Sequence, residues 1–215
     1  MKRLHPLVLL TLSICFAATA YGADKDGFTS LFDGKTLDGW EGNLDIFHVV
    51  DGAIVAGTLK EPIPHNEFLC TKKEYGDFEL RLKAKLVGEG KNAGIQFRSK
   101  RIPDHHEVSG YQCDMGGQPT QNIWGALYDE SRRRKFLAVG EQEGVKKAFK
   151  ADDWNEFVIR CQGNRIQIWL NGFRTVNYTE KEDVARTGII GLQIHGGKPA
   201  EASYKDIRIR VLKSS

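Results

Sequence analysis

From Phe78 to Leu86 the chain alternates apolar and charged residues without a break: Phe-Glu-Leu-Arg-Leu-Lys-Ala-Lys-Leu. Successive side chains on an extended strand point to opposite faces, so this pattern builds one buried and one wet face. The same period of two recurs. Ile95 and Phe97 alternate with Gln96 and Arg98, Tyr111 and Cys113 with Gln112 and Asp114, and Phe157, Ile159 and Cys161 with Glu156, Val158 and Arg160, followed by Ile166, Ile168 and Leu170. Gly163-Asn164 and Asn171-Gly172 fall between such runs and accept the positive φ of two-residue hairpin turns, so 154–178 reads as a three-stranded meander. Strands are expected again at Gly188 to His195 and at Tyr204 to Leu212, the latter with Lys205, Ile207, Ile209 and Val211 on one face and Tyr204, Asp206, Arg208 and Arg210 on the other. No helical period runs beyond about two turns. With 23 glycines and no alternation of strands with helices, the expected fold is all-β, a two-sheet antiparallel sandwich. The segment 99–110, with Pro103 and Asp104-His105-His106-Glu107, has no period and reads as a loop at a sheet edge.

At 215 residues, 40% hydrophobic and 27% charged, the chain is sized for one packed domain. Lys2-Arg3, the apolar run Leu7 to Ala18 and the small residues of Ala20-Tyr21-Gly22 have the layout of a signal peptide over 1–22, which leaves a single domain over 23–215. The apolar run is shorter than the roughly 20 residues a spanning helix needs, so an exported protein, periplasmic or extracellular, without a transmembrane segment is expected. The formal charge of +3 falls to +1 without Lys2 and Arg3. A near-neutral chain carries no electrostatic footprint for nucleic acid. Cys70, Cys113 and Cys161 remain, an odd number without a CxxC pair; they read as small buried thiols, and one disulfide at most is open to them.

Three constellations could carry chemistry. Gln193 and His195 are two apart on a strand and share one face, ahead of Gly196-Gly197, while Leu192 and Ile194 turn to the core. Gln96 and Arg98 on one strand, with Gln112 and Asp114 on another, offer the paired donors and acceptors that line a sugar trough. Trp124 and Tyr128 bracket small residues and lead into Asp129 and a run of basic residues; Tyr128 is a candidate acid and Trp124 a candidate stacking wall. Should the strands at 94–98, 109–114 and 188–195 be neighbours, Arg98, Asp114 and His195 converge on one trough. No E-x-D-x-E set of the kind used by sandwich glucanases occurs, and the glycines of 88–94 lie between strands, which excludes a dinucleotide loop. His105-His106 is a weak metal motif; no cofactor is called for, and a divalent metal stays open.

The landmarks Phe28-Thr29-Ser30-Leu31-Phe32-Asp33-Gly34-Lys35-Thr36-Leu37-Asp38-Gly39-Trp40, Val50-Asp51-Gly52, Tyr75-Gly76-Asp77-Phe78, Asn92-Ala93-Gly94-Ile95, Gly110-Tyr111-Gln112, Gly125-Ala126-Leu127-Tyr128, Leu170-Asn171-Gly172 and Gly191-Leu192-Gln193-Ile194-His195-Gly196 follow in order along about 27–212. Together they resemble the bacterial 3-keto-disaccharide hydrolase family, once DUF1080. The resemblance implies a concanavalin A-like jelly roll acting on glycosides whose C3 hydroxyl is oxidised to a ketone, by hydrolysis or by 1,2-elimination and hydration. Where the family commonly has Gly-Tyr-Glu, this chain has Gln112. On this reading His195 or Asp114 is the base, Tyr128 the acid, and Gln96, Arg98, Gln112, Trp124, Asp129 and Gln193 contact the sugar. The competing readings are a carbohydrate-binding module without turnover and, lowest, an envelope interaction domain.

Overall fold

The computed structural model describes residues 26–118 and 121–213; the expected signal peptide lies outside them. In chain order the strands are β1 Thr29–Ser30, β2 Trp40–Glu41, β3 Phe47–Val50, β4 Ala53–Thr58, β5 Glu67–Thr71, β6 Phe78–Gly88, β7 Asn92–Arg101, β8 Val108–Gln118, β9 Gln121–Asn122, β10 Leu127–Glu130, β11 Phe136–Ala138, β12 Asn155–Gln162, β13 Arg165–Leu170, β14 Phe173–Thr179, β15 Ile189–Ile194 and β16 Ala200–Val211. One helix, α1 Gln142–Ala148, breaks the series.

These strands form two antiparallel sheets. The first runs β14-β13-β12-β6-β16-β4-β3, with β1 on β16; the second runs β11-β10-β8-β7-β15-β5-β2, with β9 on β8. The meander β12-β13-β14 is the one its turn residues predict, with Asn171 and Gly172 at φ 47° and 84°. Neighbours in the second sheet come from distant parts of the chain, β7 beside β15 and β15 beside β5. Leu80, Leu82, Ala84 and Leu86 of the first sheet meet Ile95, Phe97, Cys113 and Leu192 of the second in one core. Cys70, Cys113 and Cys161 are buried free thiols.

Two of the register shifts among these strands correct the sequence reading. On β16 the register shifts between Lys205 and Arg208, with Asp206 at φ 54°. Tyr204 therefore packs inward and Lys205 faces out, reversing the expected face for the first half of that strand. On β7 the register shifts between Phe97 and Lys100, with Arg98 at φ 47°. Among the described residues no helix is long and apolar enough to cross a membrane.

Candidate functional site on the outer face of the second sheet

Gly94, Gln96, Gln112, Asp114, Tyr128, Glu130 and Gln193 alternate with core residues on β7, β8, β10 and β15, so they occupy the face of the second sheet turned away from the core. Register sets them in rows. Tyr128 stands opposite Gln112, Gln112 opposite Gln96, and Gln96 opposite Gly191. In the next row Asp114 and Gln193 flank Gly94 from the two sides.

A directed chain of hydrogen bonds crosses this face. Ser99 Oγ donates to Gln96 Oε1 (2.8 Å), Gln96 Nε2 donates to Gln112 Oε1, and Gln112 Nε2 donates to Asp114 Oδ1 (2.5 Å). Gly94 makes room for it, because a Cβ there would lie 2.5 Å from Gln112 Cδ. At the end of the chain Asp114 is 4% exposed. Burial, opposed by the Gln112 hydrogen bond and reinforced by Glu130, pushes its carboxyl up to about 8. Asp114 therefore holds a proton at neutral pH and can donate one.

Gln193 is the anomaly of the face. It has no exposure, and neither Nε2 nor Oε1 has a partner within the protein. A buried amide with both ends unpaired costs about 1–3 kcal/mol per group, and such a cost points to a ligand that completes it.

His195 follows Gln193 on the same side of the strand and is partly exposed. Its Nδ1 lies 2.6 Å from the Gly196 carbonyl, which can only accept; Nδ1 therefore carries the hydrogen and Nε2 is left as a free acceptor, the arrangement of a base. Burial and Glu107 raise the Glu130 carboxyl, and His195 lowers it once the imidazole has taken a proton. Tyr128 is raised by burial and by Glu130 and Asp114. The four groups thus share one electrostatic neighbourhood.

Glu107 gathers the rim. It accepts from Asn66 Nδ2 (2.9 Å), while Asn66 Oδ1 accepts from Gly196 N (3.0 Å), and Ser131 Oγ reaches Glu107 Oε2 at 3.5 Å. Loops from four parts of the chain are so tied to one another. His105 and His106 lie here with rings stacked at 4.3 Å, and His106 stacks on His65 at 4.1 Å. Among the described residues no cluster of three or more His, Cys, Asp or Glu is arranged to hold a metal ion.

Three expected sugar contacts lie elsewhere. The bulge turns Arg98 inward, where its side chain is 1% exposed and bonds Asp77 Oδ1 (2.7 Å), Gly76 O (2.9 Å) and Gly163 O (2.8 Å), bridging the sheets. Trp124 is a core residue packed on Phe149 and Phe157. Asp129, one residue from Tyr128, faces the other way, has no exposure and is held by Arg132 and Arg133. Arg133 also binds Glu180 (2.6 Å), whose carboxyl burial would raise but Arg133 and Tyr111 hold well below the usual range. The basic run is thus a structural clamp. Conversely, Glu130, Ser99 and Glu107 join this neighbourhood without a sequence motif that singles them out. Glu130 was within reach, since it stands two residues after Tyr128 on one strand; Glu107 lies in a loop and gave no signal.

The two facing antiparallel sheets, each built from strands distant in sequence, define a concanavalin A-like jelly roll. Residues 27–210 match the 3-keto-alpha-glucoside-1,2-lyase-like domain, and the chain belongs to that family. Solved structures of the same fold include a candidate glycosyl hydrolase of Parabacteroides distasonis ATCC 8503 (TM-score 0.66, 16% identity, 87% of this chain and 95% of that one). A carbohydrate binding module of Bacillus subtilis aligns at TM-score 0.52 (12% identity, 89% and 99% covered). A β-glucanase of Bacillus licheniformis aligns at 0.56 (11% identity, 86% and 97% covered). No curated protein matches the chain.

Proposed function

We propose that this protein is exported and cleaves 3-keto-glycosides at the buried polar face of its second sheet. The observation that carries the reading is the pairing of a proton-holding Asp114 with an unpartnered Gln193 across the bare backbone of Gly94. A ketone at C3 acidifies the hydrogen at C2. His195 Nε2 accepts that proton, the electron pair forms the enolate across C2 and C3, and the C1–O bond then breaks as the pair returns. The leaving oxygen takes a proton from Asp114 or Tyr128, and water added across the new double bond completes a net hydrolysis. Donors on the enolate oxygen stabilise the charge that develops; the unpartnered amide of Gln193, with the second N–H of Gln112, supplies them in this reading. This revises the sequence expectation for Asp114: a carboxyl raised to about 8 serves better as acid than as base.

A second reading, binding without turnover, is favoured by the amide-rich composition of the face. Gln96, Gln112 and Gln193 recognise hydroxyls but move no protons. Incubation with a 3-keto-glucoside bearing a chromogenic aglycone separates the two. Release by the wild type, and its loss in His195→Ala with an unchanged melting temperature, is expected. Retained sugar binding with no release at high protein concentration would establish the binding module instead.

A further inference from the structure

The outer face of the first sheet carries an arrangement that folding alone disfavours. Across β6 and β16, Lys83 stands directly opposite Lys205 and Arg81 directly opposite Arg208. Like charges facing one another on adjacent strands destabilise a sheet. Arg81, Arg208 and Arg210 also crowd one aromatic ring, their guanidinium carbons 4.8, 5.2 and 4.7 Å from the centroid of Phe28. The neutralising carboxylates are too few for them. Glu79 alone is shared by Arg81 (2.6 Å), Arg210 (3.2 Å) and Arg160 (4.0 Å), while Asp206 is taken by Lys83 (2.8 Å).

Clefts open between these charges. One of about 410 Å³ is lined by Arg81, Lys83, Arg208, Asp206, Glu156 and others. An adjoining one of about 270 Å³ includes Lys83, Lys205, Asn171 and Trp154. Trp154 is half-buried, with Lys85 Nζ at 5.3 Å and Lys205 Nζ at 4.1 Å from its ring. An aromatic ring set among ammonium groups and amides suits a sugar bearing an acid.

We propose that this face binds an anionic polysaccharide, a polymer of uronate or sulfated sugars, with the paired Lys83 and Lys205 and the paired Arg81 and Arg208 taking the acid groups and Trp154 stacking on a ring. A dense phosphate polymer fits less well. Outward positions on a strand recur every two residues, about 6.7 Å, whereas duplex DNA carries a charge every 1.7 Å or so of its axis. The surface lies across the core from Asp114 and His195, so it is independent of the chemistry proposed for the other face.

The test is binding of the purified chain to polygalacturonate, dextran and duplex DNA at low ionic strength, repeated at raised salt. Polygalacturonate is expected to bind and to weaken about tenfold or more as salt rises from 50 to 200 mM, in the manner of released counterions, and dextran is expected not to bind. The variant Lys85→Gln/Lys205→Gln should lose about tenfold in affinity with an unchanged melting temperature, and Lys146→Gln/Lys147→Gln on α1 should lose nothing. DNA binding as tight as polygalacturonate binding would overturn the assignment, as would equal loss in the α1 variant, undiminished binding in the sheet variant, or self-association through this face that the sheet variant abolishes.

Discussion

The two outer faces of the sandwich come from strands with the same alternation of apolar and polar residues, yet they are opposite environments. On the first sheet the polar positions are long charged side chains, Arg81, Lys83, Lys85 and Lys205, partly exposed, with Arg81 paired to Glu79, Lys83 paired to Asp206, and Lys85 and Lys205 over the Trp154 ring. On the second they are amides and an acid, Gln96, Gln112, Gln193 and Asp114, all buried; Gln96, Gln112 and Asp114 are joined edge to edge and Gln193 stands apart. Lys and Arg reach water from nearly any strand position. Gln and Asp cannot, and where loops border their sheet they must bond one another or wait for a ligand. The contrast shows that a polar strand position becomes a site through what covers it.

The largest effect is expected at Arg98, which alternation would have placed on the second face and the bulge removes from it. Arg98→Ala leaves Asp77 with only the Gly163 N–H and removes the guanidinium from two backbone carbonyls, and should cost about 3–5 kcal/mol by urea denaturation. A variant of near wild-type stability that had lost sugar binding would return Arg98 to the site and break the division drawn between the two environments.

Asp114 sharpens the comparison through pH. Its carboxyl titrates near 8 in the fold against 3.8 for the free group, so between those values the folded state keeps a proton that the unfolded state has lost. Unfolding free energy must then fall as pH rises through that window. Asp114→Asn removes the contribution: the variant should lose less stability than the wild type between pH 5 and pH 8, while release from a 3-keto-glucoside drops by about two orders of magnitude or more. Equal pH dependence in both proteins would mean that the carboxyl is charged in the fold.

A smaller change separates binding from folding at Gln193. Because neither amide atom is bonded within the protein, Gln193→Leu should leave stability unchanged or raise it by about 1 kcal/mol, with sugar affinity lost. Destabilisation beyond that would expose an internal partner. The smallest effect belongs to the exposed face. Lys83→Ala gives up an exposed ion pair with Asp206 and should move stability by no more than about 0.5 kcal/mol; a loss of several times that would show the charged lattice to be structural.

The sequence by itself determined the long strands from β6 onward, their buried sides away from the two bulges, the meander of 154–178 and the shared face of Gln193 and His195, because period and turn chemistry are local and a side chain two residues on returns to the same face. It also held, unread, the relation of Glu130 to Tyr128, which is the same rule applied once more. Only the tertiary structure decided that β15 lies between β7 and β5, and so that Gln193 faces Asp114 across Gly94. Only it turned Arg98 inward and left Tyr204 in the core, since a bulge is one extra residue that shifts the period without changing composition. Burial, finally, is a property of loops meeting over a sheet: Asn66, Glu107 and Ser131 come from separate parts of the chain, and no local pattern says that they will meet. Burial is what raises Asp114, so the chemistry of the site belongs to the fold and not to the residues alone.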